Sequence, residues 1–556
     1  MRELLRRLGQ HSNITFQLLV SSLFISVLGL ASAMYVMQVL RRYISYGVDA
    51  TLITLTSGAL IAVLFTYIFK VLRVRLAKGI NHPAQDELEE KAFATLTRAR
   101  SSALNMFDIG TQQEVMNGLK FIQQTYSPNQ VISILDVPFS FLYLAAIYIL
   151  SPVIAYIVML FMVFMLIVNF FEQYHSKNES KELSSVSSKF SSLISSTIHS
   201  SDGIRAFNAK DVIMAKWKEE LEVNQKLQDR LMVKQAKSSS FSQSVSSTLT
   251  IAVVCVGALQ VVTYDLGIGT LIGANILSKK AFGPITGCVS TGIALNRSNY
   301  YMALLKKFFQ IPMEPLDGAT PTKYSGSLHF KNLSFSYMNA SDMLFANLTA
   351  SIPTGQFTVV VGNNGAGKTT MARMLVGILR PSKGQILIDG ADLEQYQLSW
   401  WRQQVIYLPQ EPTFFDGTLR ENLSTLKPDI SDDELRSIVE KVGLSEFLDQ
   451  SKDGLDMKVR DNGKSLALGI RRRFALVRGM VNDSQVAILD EPTEGLDSEG
   501  QSAVLNIIKE FRSQNKTVFL FSSKPHQQHP NADMIINLNM HPVPGIKMKI
   551  SGENKA

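Results

Sequence analysis

The plainest chemistry in this chain lies at Gly362, Asn363, Asn364, Gly365, Ala366, Gly367, Lys368 and Thr369, with Thr370 following. The spacing is G-x-x-x-x-G-K-[ST], directly after the apolar run Phe357–Val361 and ahead of a stretch that reads as a helix. Glycines at these positions let backbone N–H groups curl around phosphate oxygens. Lys368 reaches the β and γ oxygens, and Thr369 offers its hydroxyl to Mg²⁺. Strand, spacing and helix agree, so the segment reads as an ATP-binding phosphate loop.

Further polar residues fall where such a loop needs them. The apolar strand running from Gln485 ends in Asp490 and Glu491. Asp490 is positioned to hold Mg²⁺ through water, and Glu491 to polarise the water that attacks the γ-phosphate. Gln410, closing the segment Val405–Gln410, adds a metal or water contact, so Thr369, Gln410 and Asp490 form the expected Mg²⁺ set. Tyr337, after Phe335 and Ser336, offers a ring to adenine. The stretch between Lys368 and Asp490 is long enough to insert a helical subdomain into the nucleotide core.

The half of the chain ahead of the loop is of another kind. Residues 15–40, 51–72, 131–150, 153–172, 245–264 and 267–290 are each apolar and near the length that crosses a hydrocarbon core as a helix. The last carries Lys279 and Lys280. The intervals between spans are alternately short and long, and the long ones are basic, with Arg73, Arg75, Lys78, Lys177, Lys181, Lys216, Lys218 and Lys237. The positive-inside rule puts these loops, and Arg2, Arg6 and Arg7 at the N-terminus, in the cytoplasm; Arg41 and Arg42 run against it. Six crossings then return the chain to the side where ATP is found. The first apolar run lacks the short h-region and cleavage site of a signal peptide.

Composition fits this division. The 556 residues carry a net charge of +8, yet no basic stripe with interleaved aromatics is visible, so loop charge explains the excess and a nucleic-acid partner is excluded. Cys255 and Cys288 both fall in apolar spans and are expected to be buried thiols, neither a disulfide scaffold nor a zinc site. The eight histidines show no metal-ligand spacing. Residues 85–125 and 176–242 have helical spacing and many charges, so the membrane helices are predicted to extend into the cytosol. Phe107–Thr111 and Ser201–Gly203 are predicted to break them at the tips, where a short helix would meet the ATPase. Serines dense at 184–201 and 236–247 suit close helix packing. The run Pro312, Pro315, Gly318 and Pro321 marks a linker.

With these residues in view, the chain resembles an ATP-binding cassette (ABC) exporter half-transporter. The membrane half is similar to the inner-membrane ATPases of type I secretion systems, through Ala33–Leu40, Gly47–Leu52, Ile134–Phe139 and Ser151-Pro152. The resemblance implies an α-helical six-span membrane domain followed by an α/β P-loop NTPase domain. The expected divisions are 1–311 for the six-helix domain, 312–325 for a linker, 326–545 for the nucleotide-binding domain and 546–556 for a C-terminal tail.

Two segments depart from the family. Where it has Leu-Ser-Gly-Gly-Gln, this chain has Leu466, Ala467, Leu468, Gly469 and Ile470. In the family that segment caps the γ-phosphate of ATP held by the partner subunit. Ala467 removes the hydroxyl, and Leu468 puts bulk where backbone approaches phosphate, while the helix dipole and Gly469 remain. After the strand Thr517–Phe521 the family has Thr-His, and here stand Ser522 and Ser523, so Ser523 takes the histidine position of the switch loop, with His526 a poorly placed substitute.

The resemblance implies an ATP-driven exporter subunit, multi-pass in a bacterial inner membrane, both termini and the ATPase cytoplasmic, hydrolysing ATP with Mg²⁺ as a homodimer or as a heterodimer with another ABC half-transporter. A periplasmic adaptor, an outer-membrane channel and an exported polypeptide are the implied partners. The alternatives are a degenerate, regulatory half paired with a competent ABC subunit, or an exporter of a smaller peptide, lipid or drug. The altered signature and the missing histidine imply slow turnover. The short stretch ahead of the first span leaves no room for the papain-like peptidase domain of related bacteriocin exporters, so a polypeptide cargo is expected to leave with an uncleaved C-terminal signal.

Overall fold

The computed structural model describes residues 2–44, 47, 49–263, 266–337, 342–524 and 531–548, with the side chains of residues 2, 5, 173–181, 184, 288–291 and 293 also outside that description. Two compact units result, one of residues 1–99 and 103–312, the other of 100–102 and 313–556.

The first unit is all helix: α1 (Arg2–Gln10), α2 (Ser12–Gln38), α3 (Asp49–Arg98), α4 (Ser101–Leu104), α5 (Ile109–Thr125), α6 (Pro128–Leu135), α7 (Ser140–Leu150), α8 (Pro152–His199), α9 (Ser201–Ala206), α10 (Lys210–Thr263) and α11 (Ile268–Phe309). Among the described residues, five stretches are long and apolar enough to cross a membrane: Ser12–Tyr43, Asp49–Arg98, Pro128–Leu150, Pro152–Glu172 and Lys210–Thr263. The sixth expected span, 267–290, lies in the continuous helix α11 and reaches residues outside the described set. Leu60, Ile61, Val63 and Leu64 are each more than half exposed. Such an apolar surface needs hydrocarbon, not water, around it.

Local chemistry sets the helix ends. Ser151 caps α8 by accepting from the Ile154 N–H at 3.4 Å, with Pro152 in the first turn, so the short turn after the third span is built as its Ser-Pro pair suggests. Asp108 caps α5 by accepting from the Thr111 N–H at 3.2 Å. The breaks differ from the expected ones. The first long helix gives way at residues 99–100 and 105–108, and Ile109–Thr111 is already helical because Asp108 caps it. The second long helix breaks at Ser200, one residue ahead of the expected Ser201–Gly203, and the short helix expected there is α9, between α8 and α10. Cys255 is exposed and not buried as expected. A helix surrounded by lipid presents small apolar groups outward with no penalty, so an apolar span does not imply a buried thiol. Cys288 has its side chain outside the described residues.

One charge pair organises the interior of this unit. The third span is interrupted by a turn at residues 136–139, and there Asp136 Oδ1 accepts from Arg73 Nη1 of α3 at 2.6 Å. The same nitrogen donates to Ser22 Oγ of α2 at 3.1 Å. Arg73 is buried inside the unit and is not the exposed basic loop residue expected from the sequence.

In the second unit the sheet that carries the phosphate loop has the order β12-β11-β3-β10-β9-β6. Its strands are β3 (Phe357–Val361), β6 (Val405–Leu408), β9 (Val486–Asp490), β10 (Thr517–Ser522), β11 (Met534–Asn537) and β12 (Gly545–Met548), all parallel except β12. Every residue of β3, β9 and β10 is buried, as central strands of a parallel sheet covered on both faces require. A four-stranded antiparallel sheet, order β2-β1-β4-β5, combines β1 (Leu328–Phe335), β2 (Phe345–Ile352), β4 (Lys383–Ile388) and β5 (Ala391–Asp392). Between β3 and β9 the chain also forms α12 (Lys368–Leu375), α13 (Leu398–Gln403), α14 (Leu419–Leu423), α15 (Asp432–Lys441), α16 (Ser445–Gln450) and α17 (Leu468–Met480), the helical insertion the long spacing suggested. A short hairpin, β7 (Gly417–Thr418) with β8 (Lys458–Val459), ties that insertion together, and α18 (Ser498–Ser513) follows β9.

Removing one member of the Arg73–Asp136 pair leaves the other charge buried and unpaired, which destabilises by about 3–5 kcal/mol, whereas replacing both with apolar groups is close to neutral. Asp136→Leu should therefore lower the unfolding temperature in detergent markedly, and Arg73→Leu combined with Asp136→Leu should recover most of it. A single variant as stable as the unaltered chain would show that the pair does not hold these helices.

Candidate nucleotide-binding site

Strand register brings the predicted residues to one edge. Val361 of β3 is level with Ser522 of β10, and Phe521 of β10 with Asp490 of β9. On the far side of β9, Leu489 is level with Leu408 of β6. The loops carrying Gly362, Ser523, Glu491 and Gln410 thus leave the carboxyl ends of four adjacent parallel strands, the crevice where ligands bind in open α/β sheets.

The loop itself is a left-handed cradle. Gly365 and Gly367 have φ of +85° and +99°, which a side chain would strain. A Cβ on Gly367 would come within 2.7 Å of Leu344, whereas one on Gly365 meets nothing within 4 Å and faces open space. Ala366 N–H donates to Asn363 O at 3.1 Å, closing the loop, and Gly367 precedes α12. Lys368 is buried; its Nζ donates to Gly362 O at 2.8 Å and Asn363 O at 3.3 Å and stands 3.6 Å from Glu491 Oε1. The lysine is folded back on its own loop and held by a carboxylate, poised to exchange these acceptors for phosphate oxygens.

Glu491 has φ of +48°, a strained conformation for a residue with a side chain, and its N–H donates to Phe521 O at 3.0 Å. That kink turns the chain out of the sheet just past β9. Asp490 stays inside: neither of its buried carboxylate oxygens makes a full hydrogen bond to a described residue. Burial above all raises its carboxyl beyond the ordinary range, with the Glu491 charge adding to the effect and Thr369, Lys368 and Arg373 opposing it. Thr369 Oγ1 donates to Gln410 Oε1 at 3.4 Å. An orphaned carboxylate beside a threonine hydroxyl and an amide oxygen is an all-oxygen set suited to Mg²⁺ and its waters.

A cavity of about 430 Å³ opens over the loop, lined by Tyr337, Asn363, Asn364, Gly365, Gly367, Lys368, Thr369, Thr370, Gln410, Glu491 and Ser523 of the predicted residues. Gly362, Ala366 and Asp490 are buried and do not line it. Tyr337 is half exposed, meets Phe335 edge-on at 5.0 Å and shares a 2.8 Å hydrogen bond between Tyr337 Oη and Thr370 Oγ1. Its ring is therefore fixed at the cavity rim. His526 lies outside the described residues.

Leu466, Ala467, Leu468, Gly469 and Ile470 do not line this cavity. Leu466 is buried, Ala467 is the N-cap residue of α17, and no side chain caps that helix. Gly469 is confined, because an added Cβ would sit 3.2 Å from Leu496 and 3.3 Å from Gly495 O.

Three residues escaped the sequence reading. Leu344 and Glu494 line the cavity. Arg472, buried on α17, donates from Nε and Nη2 to Gln410 O at 3.2 and 2.9 Å and from Nη2 to Glu494 Oε2 at 3.1 Å. It ties the helix behind the altered signature to both walls of the cavity. Three arginines stand in a row at 471–473, and which of them points inward depends on the packing of α17, not on spacing.

Two family comparisons match the chain: ABC transporter transmembrane region over residues 15–285, and ABC transporter over 345–494. Among curated proteins, the leukotoxin translocation ATP-binding protein of Mannheimia glucosida is 23% identical over 528 residues, covering 95% of this chain and 74% of its own. The leukotoxin export ATP-binding protein of Aggregatibacter actinomycetemcomitans is 23% identical over the same extent. The exotoxin translocation ATP-binding protein of Pasteurella aerogenes is 22% identical over 516 residues, 93% of this chain and 72% of its own. Among solved structures, a bacterial Atm1-family ABC exporter with ATP bound superposes with a TM-score of 0.84 at 17% identity, covering 97% of this chain and 95% of that one.

Lys368→Ala removes the charge that meets the phosphates and should weaken ATP binding by about a hundredfold or more, from roughly 3 kcal/mol lost to charged acceptors. Membrane insertion should be unchanged, and undiminished nucleotide affinity would sink the assignment. For Asp490 the sign follows from its raised folded-state pKa: its charge destabilises the nucleotide-free fold above the ordinary carboxylate range, and the penalty fades as pH falls through the raised value. Asp490→Asn should accordingly stabilise the nucleotide-free chain at neutral pH, with the gain shrinking as pH falls into the ordinary carboxylate range near about pH 4. Thermal unfolding across pH, without Mg²⁺, tests this.

Proposed function

The chain belongs to the ABC transporter family, and we propose that it is an ATP-driven exporter subunit, the permease and ATPase of a type I protein secretion system, working as a dimer. The observation that supports the reading is the joining of a membrane unit with a phosphate-loop crevice along one chain, matched over 95% of its length by leukotoxin translocation and export proteins. The inferred membrane is the bacterial inner membrane, with both termini and the ATPase in the cytoplasm, as the basic loops suggest. A periplasmic adaptor, an outer-membrane channel and a polypeptide cargo are proposed as partners from the likeness to leukotoxin and exotoxin translocators.

In the proposed reaction Lys368 and the loop N–H groups hold the phosphates, and Tyr337 supports the adenine ring. Glu491, already within 3.6 Å of Lys368 Nζ, is freed to orient water once that lysine turns to the γ-phosphate. Thr369, Gln410 and Asp490 would hold Mg²⁺, whose chemistry is to neutralise charge building on the phosphate oxygens. Leu466–Ile470 would face ATP on the partner subunit, and Ser523 lines the cavity where the family has its switch histidine.

A second reading, a degenerate half paired with a competent one, is favoured by Ala467, Leu468 and Ser523. Each hydrogen bond lost to a charged phosphate lowers an equilibrium or rate by about ten- to a hundredfold. ATP turnover of the purified chain, alone and with any co-encoded half-transporter, separates the two readings. Restoring Ala467→Ser, Leu468→Gly and Ser523→His together should raise turnover of the chain alone at least about tenfold. The serine would also cap α17, which by itself stabilises by about 1 kcal/mol, so Ala467→Ser alone is the needed control. If the unaltered chain already turns over as fast as the restored one, Leu466–Ile470 is a working variant and the degenerate reading fails.

A further inference from the structure

Outside the nucleotide crevice, the helical unit holds a cavity of about 290 Å³ bounded by α1, α3 and the junction of α5 with α6. Arg7, Lys78 and His82 line it, and the lining includes no carboxylate among the described residues. Arg7 is only 1% exposed. Its Nε donates to Glu3 Oε1 at 3.3 Å and its guanidinium lies 4.4 Å over the Tyr126 ring, yet Nη1 and Nη2 are buried with no acceptor among the described residues. Two unpaired buried donors on a fixed cation are costly unless something anionic reaches them.

The same cavity offers acceptors as well. Asn81 and Gln85 spend their NH₂ groups on the Ala77 carbonyl at 3.3 Å and on Glu89 Oε1 at 2.7 Å, and the Asn81 Oδ1 and Gln85 Oε1 oxygens remain buried without a donor among the described residues. A matching ligand therefore carries an oxyanion for Arg7, Lys78 and His82 together with hydroxyl groups for the two amide oxygens. Lys78 lies six residues past the apolar segment ending at Leu72, about 9 Å along the helix at 1.5 Å per residue, which is headgroup depth.

We propose that this cavity binds a phosphodiester with a hydroxylated headgroup, that of phosphatidylglycerol, anchoring α1 to the leaflet on the N-terminal side of the membrane. This rests on the membrane placement proposed above. Basic pockets at the ends of membrane helices suit anionic lipids, since bidentate guanidinium contact and surface attraction act together there.

Native mass spectrometry of the full chain, released from nanodiscs of equal phosphatidylglycerol and phosphatidylethanolamine, tests it. The unaltered chain should retain phosphatidylglycerol about tenfold over phosphatidylethanolamine, the loss expected for one charge-assisted hydrogen bond. Lys78→Gln with His82→Gln, both exposed positions that leave the fold intact, should remove most of that preference, and Arg7→Gln should abolish it. Millimolar inorganic phosphate that displaces the lipid and protects the unaltered chain by itself, without lipid, supports the oxyanion site but overturns the lipid as its source. Equal retention of both lipids by every variant, with no phosphate effect, overturns the proposal. A chain that enters no nanodisc at all overturns the membrane placement instead.

Discussion

Everything in the nucleotide site depends on three buried parallel strands sharing one register. With Val361 level with Ser522 and Phe521 level with Asp490, the phosphate loop, the Asp490-Glu491 pair and Ser523 must emerge together. A one-residue slip of β9 would move its side chains to the opposite face, putting Asp490 in the hydrophobic layer that Leu489 now occupies. The burial of every residue in β3, β9 and β10 makes such a slip prohibitive, so the chemistry is positioned by the same apolar contacts that hold the core.

On that scaffold the electrostatics are unfinished in a directed way. Lys368 borrows backbone oxygens and a glutamate, while Asp490, the more buried of the two carboxylates, has only the Thr369 hydroxyl and the Lys368 and Arg373 charges to set against its burial. A fold does not keep such a carboxylate in its core for stability, since these contacts do not outweigh the penalty of burial, which still raises its carboxyl above the ordinary range. The arrangement has physical sense as a site whose missing partners arrive with the ligand. The positive φ of Glu491 belongs to the same account: backbone strain at the strand end aims one carboxylate outward while its neighbour stays buried.

The sequence made much of this legible, and the limits are instructive. The phosphate loop was readable because its chemistry is local, a fixed spacing between a strand and a helix. Asp490, Glu491 and Gln410 were readable because each ends an apolar strand. Glu494 and Arg472 were not, because their meeting depends on how α17 packs beside the loop after β9, a contact with no spacing rule. In the membrane half, hydropathy found five spans that the described residues bear out, yet it gave Arg73 as a loop charge and Cys255 as a buried thiol. Periodicity reports that a helix is apolar on average. It does not report which face meets lipid, nor that Asp136 waits on another helix to neutralise Arg73.

The Arg472 contacts bear on how the unusual signature should be judged. Ala467 and Leu468 weaken the polar character of the α17 N-terminus, but the first turns of that helix are anchored at Gln410 and Glu494. Gln410 in turn meets Thr369, which precedes Thr370 and its bond to Tyr337. A shift of Gln410 on ligand binding is therefore felt at α17 through two hydrogen bonds from a single rigid guanidinium, whatever residues stand at its tip. Guanidinium geometry allows little rotation while both bonds hold, so the linkage is stiff where a lysine's would be loose. The mechanical connection between the cavity and the signature helix is thus intact in a chain whose signature chemistry is altered, and the two properties must be separated when its turnover is interpreted.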